Sequence, residues 1–169
     1  MKRKSSGFTL IELLIVIAII GVLASVVLGN LSGAKDKAYY ARSQSEFDSI
    51  NQALQIYLID NLGVYPADVN RGLPSGVEKY MPGGVWPPAP WPGAVYDWDN
   101  WVDPITSKPI VQISIRFCPA GGTIDTCKFP SDSWASGFGV DSSVYYCITG
   151  TCRSHINQPI TYPGKCVNC

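Results

Sequence analysis

Charge is missing from Leu13 to Leu28, sixteen residues in a row, and the apolar run reaches back to Phe8 across the single acid Glu12. A helix from Phe8 to Leu31 has a length of about 36 Å, enough to cross a hydrocarbon core of about 30 Å with some tilt. From Ala34 to Asn61 there is neither proline nor glycine, and Phe47, Ile50, Leu54, Tyr57 and Leu58 recur at steps of three and four. That spacing predicts a continuing helix with one buried face, while Gln44, Glu46, Asp48, Asn51, Gln52 and Gln55 fall mostly off the stripe. Asn61-Leu62-Gly63 is a polar and glycine stop. The expected rod is thus about 80 Å long, greasy all round in its first half and amphipathic in its second.

Past Gly63 the pattern turns to short segments, with eleven of the thirteen prolines lying between Pro66 and Pro130. Leu73 to Pro92, holding six prolines with Trp86 and Trp91, reads as a structured loop. Val95 to Val102, Ile110 to Phe117 and Ser143 to Thr149 are rich in β-branched and aromatic residues and read as strands. Three or four antiparallel strands on the amphipathic half of one long helix make an α+β head.

Charge and composition narrow the function. Thirteen Lys and Arg balance thirteen Asp and Glu, and only 15% of residues are charged, so bulk nucleic-acid binding by positive charge is excluded. With 46% hydrophobic residues the chain buries a core and is not disordered. Lys2, Arg3 and Lys4 precede the apolar run, and short basic flanks stay on the cytoplasmic side, so the head is expected outside. A secretory signal peptide shares the basic start, but its core is shorter and a small-residue cleavage site is poorly defined here. Glu12 argues further against it: a carboxylate inside an apolar span is costly and calls for a partner.

Gly7-Phe8-Thr9-Leu10-Ile11-Glu12, followed by Leu13 to Ala24, resembles the type IV pilins and the pseudopilins of type II secretion over about the first 30 residues. The resemblance implies a leader over residues 1–7, cut after Gly7 by a prepilin peptidase, and N-methylation of the new amino-terminal Phe8. It divides the rest into a membrane and filament-core helix half at 8–33, an amphipathic half at 34–62 and a head at 63–169. Losing the leader takes the formal balance to 10 minus 13, or −3. It also frees an amine at Phe8, one helical turn from Glu12, where the opposite charges are expected to neutralise one another within one helix or, better, between neighbouring subunits. Gly21, Ala24, Ser25 and Gly29 are small enough for helices to approach closely, and Gly29-Asn30 with Ser32-Gly33 is weak helix material.

The head carries six cysteines, Cys118, Cys127, Cys147, Cys152, Cys166 and Cys169, on the side where disulfides persist. Fifteen pairings are open; Cys147 with Cys152 around a hairpin tip and Cys118 with Cys127 are the short closures. The rival is half a zinc knuckle at Cys166-Val167-Asn168-Cys169, with His155 the one histidine. Asp97, Asp99 and Asp103 in Tyr96-Asp97-Trp98-Asp99-Asn100-Trp101-Val102-Asp103 alternate as calcium ligands do, and the resemblance extends to a calcium site in pseudopilin heads. The preferred reading is the wet face of a strand whose other face carries Tyr96 and Trp98. No other cofactor is expected. No nucleophile elbow, phosphate loop or metal-ligand pair points to an enzyme.

The main expectation is therefore a subunit that polymerises into a surface type IV pilus for adhesion, twitching or DNA uptake. The alternative is a pseudopilin in a short periplasmic pseudopilus, favoured by the Tyr65-Pro66 junction and the calcium-like loop; a monomeric membrane-anchored binding module is the third reading. The first two imply an inner-membrane assembly platform and a motor ATPase as partners, a single-pass membrane precursor and, for the first, a final place on the cell surface.

Overall fold

A computed structural model describes residues 7–155, 158 and 161–169, with the backbone alone described at 28–32. Lys2, Arg3 and Lys4, the basic part of the expected leader, lie outside the described residues. One helix, α1 (Leu10–Asp60), runs 51 residues without a break. It starts two residues later than the apolar run because Thr9 is extended, at φ −82° and ψ 151°, and caps it. With no proline between Leu10 and Asp60, every backbone N–H can serve the ladder, so the weak stretch Gly29 to Gly33 stays helical. At the far end Leu62 and Gly63 both take positive φ, and the Gly63 N–H donates to the Leu58 carbonyl at 2.8 Å, closing the last turn.

Residues 63–94 are irregular and include the expected loop from Leu73 to Pro92, with short 3₁₀ turns at Glu78–Tyr80 and Pro82–Gly84. A four-stranded sheet follows: β1 (Val95–Val102), β2 (Pro109–Arg116), β3 (Val144–Thr149) and β4 (Lys165–Cys166), neighbours in that order. β1, β2 and β3 are antiparallel. The short β4 is not: it pairs parallel to β3, with Val144 beside Lys165 and Tyr145 beside Cys166. The chain from Thr149 to Lys165 is long enough for a crossover, which a parallel neighbour requires.

Register sorts the sheet into two faces. Tyr96, Ile115 and Val144 lie side by side, as do Trp98, Ile113 and Tyr146, and these face α1. Phe47, Ile50, Ala53 and Leu54 of the helix are buried against them, Phe47 meeting Tyr96 and Tyr146 at ring separations of 5.5 and 5.8 Å. The helix stripe read from spacing is this face, with Tyr57 and Leu58 half-buried at its end.

The opposite face carries Asp97, Asp99, Gln112 and Ser114, and it is not wet. Asp97, Gln112 and Ser114 are fully buried, with the chain at Arg71 meeting Asp97 and the chain beyond β3, at Arg153, meeting Gln112. Gln112 exchanges hydrogen bonds with the backbone of Arg153, donating to its carbonyl at 2.8 Å and accepting from its N–H at 3.0 Å. The head is therefore three layers: helix, sheet and a covering loop.

Candidate functional site

Two regions hold the residues singled out in the sequence. The first is the start of α1. Thr9 and Glu12 form a reciprocal cap: the Glu12 carboxylate accepts from the Thr9 N–H at 2.8 Å and the Thr9 hydroxyl at 2.7 Å, and the Glu12 N–H donates to Thr9 Oγ1 at 3.3 Å. The order Thr-x-x-Glu before an apolar run is itself the signature of such a cap. Both bonds to the carboxylate fall on Oε2, and among the described residues nothing donates to Oε1.

Between Leu10 and Val27 no described residue covers the helix. The window Leu10–Val27 has a mean hydropathy of 3.0 and no part of it is buried. Phe8 is 87% exposed and Leu10 77%. A helix apolar on every side needs lipid or other helices around it. At Gly21 a side chain would meet open space, and Ser25 returns its hydroxyl to the Val22 carbonyl at 2.8 Å, so small-residue contact surface is left clear. Gly29 lies in the stretch described by backbone alone.

The second region is the acidic strand. The structure does not bring Asp97, Asp99 and Asp103 together as a ligand set, and among the described residues no three His, Cys, Asp or Glu gather as metal ligands. Each carboxylate is instead taken up by donors of the chain. Asp97 accepts from Arg116 Nε at 2.5 Å and from the Arg71 N–H. Asp99 accepts from Gln112 Nε2 at 3.0 Å and Ser114 Oγ at 3.1 Å. Asp103 accepts from Arg153 Nη2 at 2.7 Å, the Ile105 N–H at 2.9 Å and the Thr106 hydroxyl at 2.9 Å. Arg71 also holds Asp141 at 2.5 Å, which accepts from the Cys118 N–H at 2.6 Å. A calcium ion takes six to eight oxygens, and these three acids do not offer them as a set.

Burial dominates the titration of Asp97 and Asp99. It pushes Asp97 up to about 6, helped by the charge of Asp99 and opposed by Arg116, and it raises Asp99 as well. Desolvation acts on Asp103 in the same sense but is outweighed by the Ile105 and Thr106 donors and the Arg153 charge, so its carboxyl lies below the ordinary range. The arginines that balance these acids carry no signal in local sequence pattern. Arg71, Arg116 and Arg153 lie on three different segments, and no spacing rule connects them.

The cysteines are joined in sequence order: Cys118 to Cys127, Cys147 to Cys152 and Cys166 to Cys169. The last pairing takes both sulfurs of the zinc half-knuckle. Asn168 sits inside that small loop and bonds both ways with Cys147, tying the carboxyl end to β3 at 2.7 and 2.8 Å.

Residues 2–28 match the family model described as the prokaryotic N-terminal methylation motif. Relatives extend the match into the head. The chain is 39% identical over 106 residues to the type II secretion system core protein G of Escherichia coli (strain K12), covering 63% of this chain and 67% of that one. It is 30% identical over 136 residues to the same component of Klebsiella pneumoniae, covering 80% and 74%.

The chain belongs to this pseudopilin family.

The core protein G of Aeromonas hydrophila is 44% identical over 78 residues, 46% of this pseudopilin and 53% of that protein. The chain thus spans about half to three quarters of these relatives. No solved structure matches it. The relatives are secretion-system components, and none of these names is that of a surface pilus or an enzyme. This corrects the main expectation from the sequence: the secretion reading, given second there, is the better supported, and a place on the cell surface has no support.

Proposed function

We propose that this chain is a non-enzymatic subunit that polymerises into the short periplasmic pseudopilus of a type II secretion machine. It begins as a single-pass precursor in the cytoplasmic membrane with its head outside. The observation that carries the reading is the bare window Leu10–Val27, an apolar surface that its own head leaves uncovered, in a chain whose relatives are named as core proteins of that machine.

A prepilin peptidase cuts after Gly7, the Phe8 amine is methylated, and an inner-membrane platform with a motor ATPase drives assembly. Lipid surrounds the helix before assembly and other copies of it afterwards. The open Oε1 of Glu12 supports a charge pairing with the Phe8 amine of a neighbouring subunit, since Thr9 occupies only Oε2. In a dry filament core such a pairing offsets the cost of an isolated carboxylate.

The deciding experiment joins the mass of the amino-terminal peptide with electron microscopy of cell fractions. A methylated peptide starting at Phe8, with the chain in the envelope and no fibres in sheared surface material, is expected. Long surface fibres of this chain would restore the pilus reading, and a chain that keeps Met1 and sediments as one copy defeats both.

A further inference from the structure

Where the middle of α1 enters the head lies a cleft of about 280 Å³ that the assembly reading leaves unused. Lys35 and Tyr39 of α1 form one wall, Trp91 and Pro92 a second, and Lys128 and Phe129 the third. We propose that this cleft holds the headgroup phosphate of an anionic phospholipid, drawn from the leaflet facing the head, before the subunit joins the filament. The proposal rests on the membrane-anchored precursor described above and adds a ligand to it.

Height above the bilayer supports it. Lys35 follows the last residue of the apolar window, Val27, by eight positions, about 12 Å along a helix. The headgroup layer is about 5–7 Å thick on each side of the hydrocarbon. Helical side chains lean toward the amino end and lysines stretch to reach an interface, which closes the difference from Lys35. Lys128 reaches the same cleft from the loop after β2.

Charge and shape agree with height. Both lysines are exposed. The one acid in the cleft, Asp36, is turned to other work: Oδ1 accepts from Trp91 Nε1 at 3.0 Å, and Oδ2 from the Ser131 N–H and hydroxyl at 2.7 and 2.8 Å. It thereby holds the cleft's walls together with both oxygens engaged, and the two lysines outnumber it, which leaves the cleft one net formal positive charge. Tyr39 and Trp91 meet edge to face at 5.9 Å, and aromatic rings of this kind suit the boundary between headgroups and acyl chains. A chain that carries −3 after losing its leader has no bulk attraction for an anionic leaflet, so any attraction must be local.

The test uses the full chain in nanodiscs of mixed phosphatidylglycerol and phosphatidylcholine, followed by native mass spectrometry of the lipid it retains. Wild type is expected to retain phosphatidylglycerol over phosphatidylcholine, and Lys35→Gln or Lys128→Gln each to weaken that retention about fivefold. The double arginine variant, Lys35→Arg with Lys128→Arg, is expected to keep it, which separates lost charge from lost folding. Lys108→Gln, in the turn between β1 and β2 at the opposite end of the head, is expected to change nothing. Equal retention in the glutamine variants, an equal loss in Lys108→Gln, or displacement of the lipid by low-millimolar inorganic phosphate overturns the proposal. Flotation of wild type with vesicles reads the anchor separately: its failure defeats the membrane precursor, whereas flotation with unselective retention defeats only the cleft.

Discussion

Arg153 and Asp103 meet at 2.7 Å with no more than 1% of either side chain left in water, although fifty residues separate them. This contact fastens the covering loop to the end of the sheet, and the Trp101 ring stacks over the guanidinium at 5.5 Å. Removing one partner of a buried pair strands the other charge, whereas replacing both with apolar groups is far milder. Arg153→Met is therefore expected to lower the thermal midpoint of the chain in micelles by about 10 °C. Arg153→Met combined with Asp103→Leu is expected to recover much of that loss, as read by circular dichroism.

The buried acids make the stability of the head depend on pH in two opposite senses. Asp97, pushed up to about 6 by burial and by Asp99, binds its proton more tightly folded than unfolded. It adds stability as pH falls through about 6 toward the ordinary value near ~4, and adds none above that window. Asp103 has the reverse sign: its depressed carboxyl contributes above the ordinary value and loses that contribution in stronger acid. Thermal midpoints at pH 7.5, 6 and 5 are expected to carry a favourable Asp97 increment toward pH 5. Asp97→Asn removes that increment, so the wild-type-minus-variant difference grows as pH falls.

Asp36 is the bolt between the helix and two loops, taking donors from Trp91 and Ser131. It is buried, and without it those donors have no acceptor in the same place. Asp36→Ala is expected to cost about 1–3 kcal/mol. Urea unfolding followed by tryptophan fluorescence measures it, and a midpoint equal to wild type would show that the loops hold without this acid.

Thr9 and Glu12 allow capping to be separated from assembly. Thr9→Val removes the hydroxyl of the cap, a local cost of about 1 kcal/mol, yet leaves the carboxylate. Glu12→Leu removes the carboxylate altogether. Pseudopilus yield from overproducing cells is expected to fall sharply for Glu12→Leu and little for Thr9→Val, with both still inserted and cut. Equal loss in the two would make Glu12 a cap and nothing more.

Much of the fold lay open in local pattern. The three-and-four stripe from Phe47 to Leu54 is the buried helix face, and Val95 to Val102 is β1 to the residue. The cap of α1 is equally legible in Thr9-x-x-Glu12. The acidic strand is where local pattern misled: alternation placed Asp97 and Asp99 opposite Trp98 correctly, but it carries no information on what covers that side.

Periodicity reports which residues share a face, because side-chain direction along a helix or strand is set by the backbone alone. The chain by itself therefore determined the long helix, its apolar half, the first three strands and the processing motif at its start. Which face meets water depends on segments distant in sequence, and only the tertiary structure decided it, by folding the chain beyond β3 over the sheet and delivering Arg153 to Asp103, while the β1–β2 register set Arg116 beside Asp97. The same holds for the parallel β4 and the cleft between Lys35 and Lys128, since contacts closed by long loops leave no local signature.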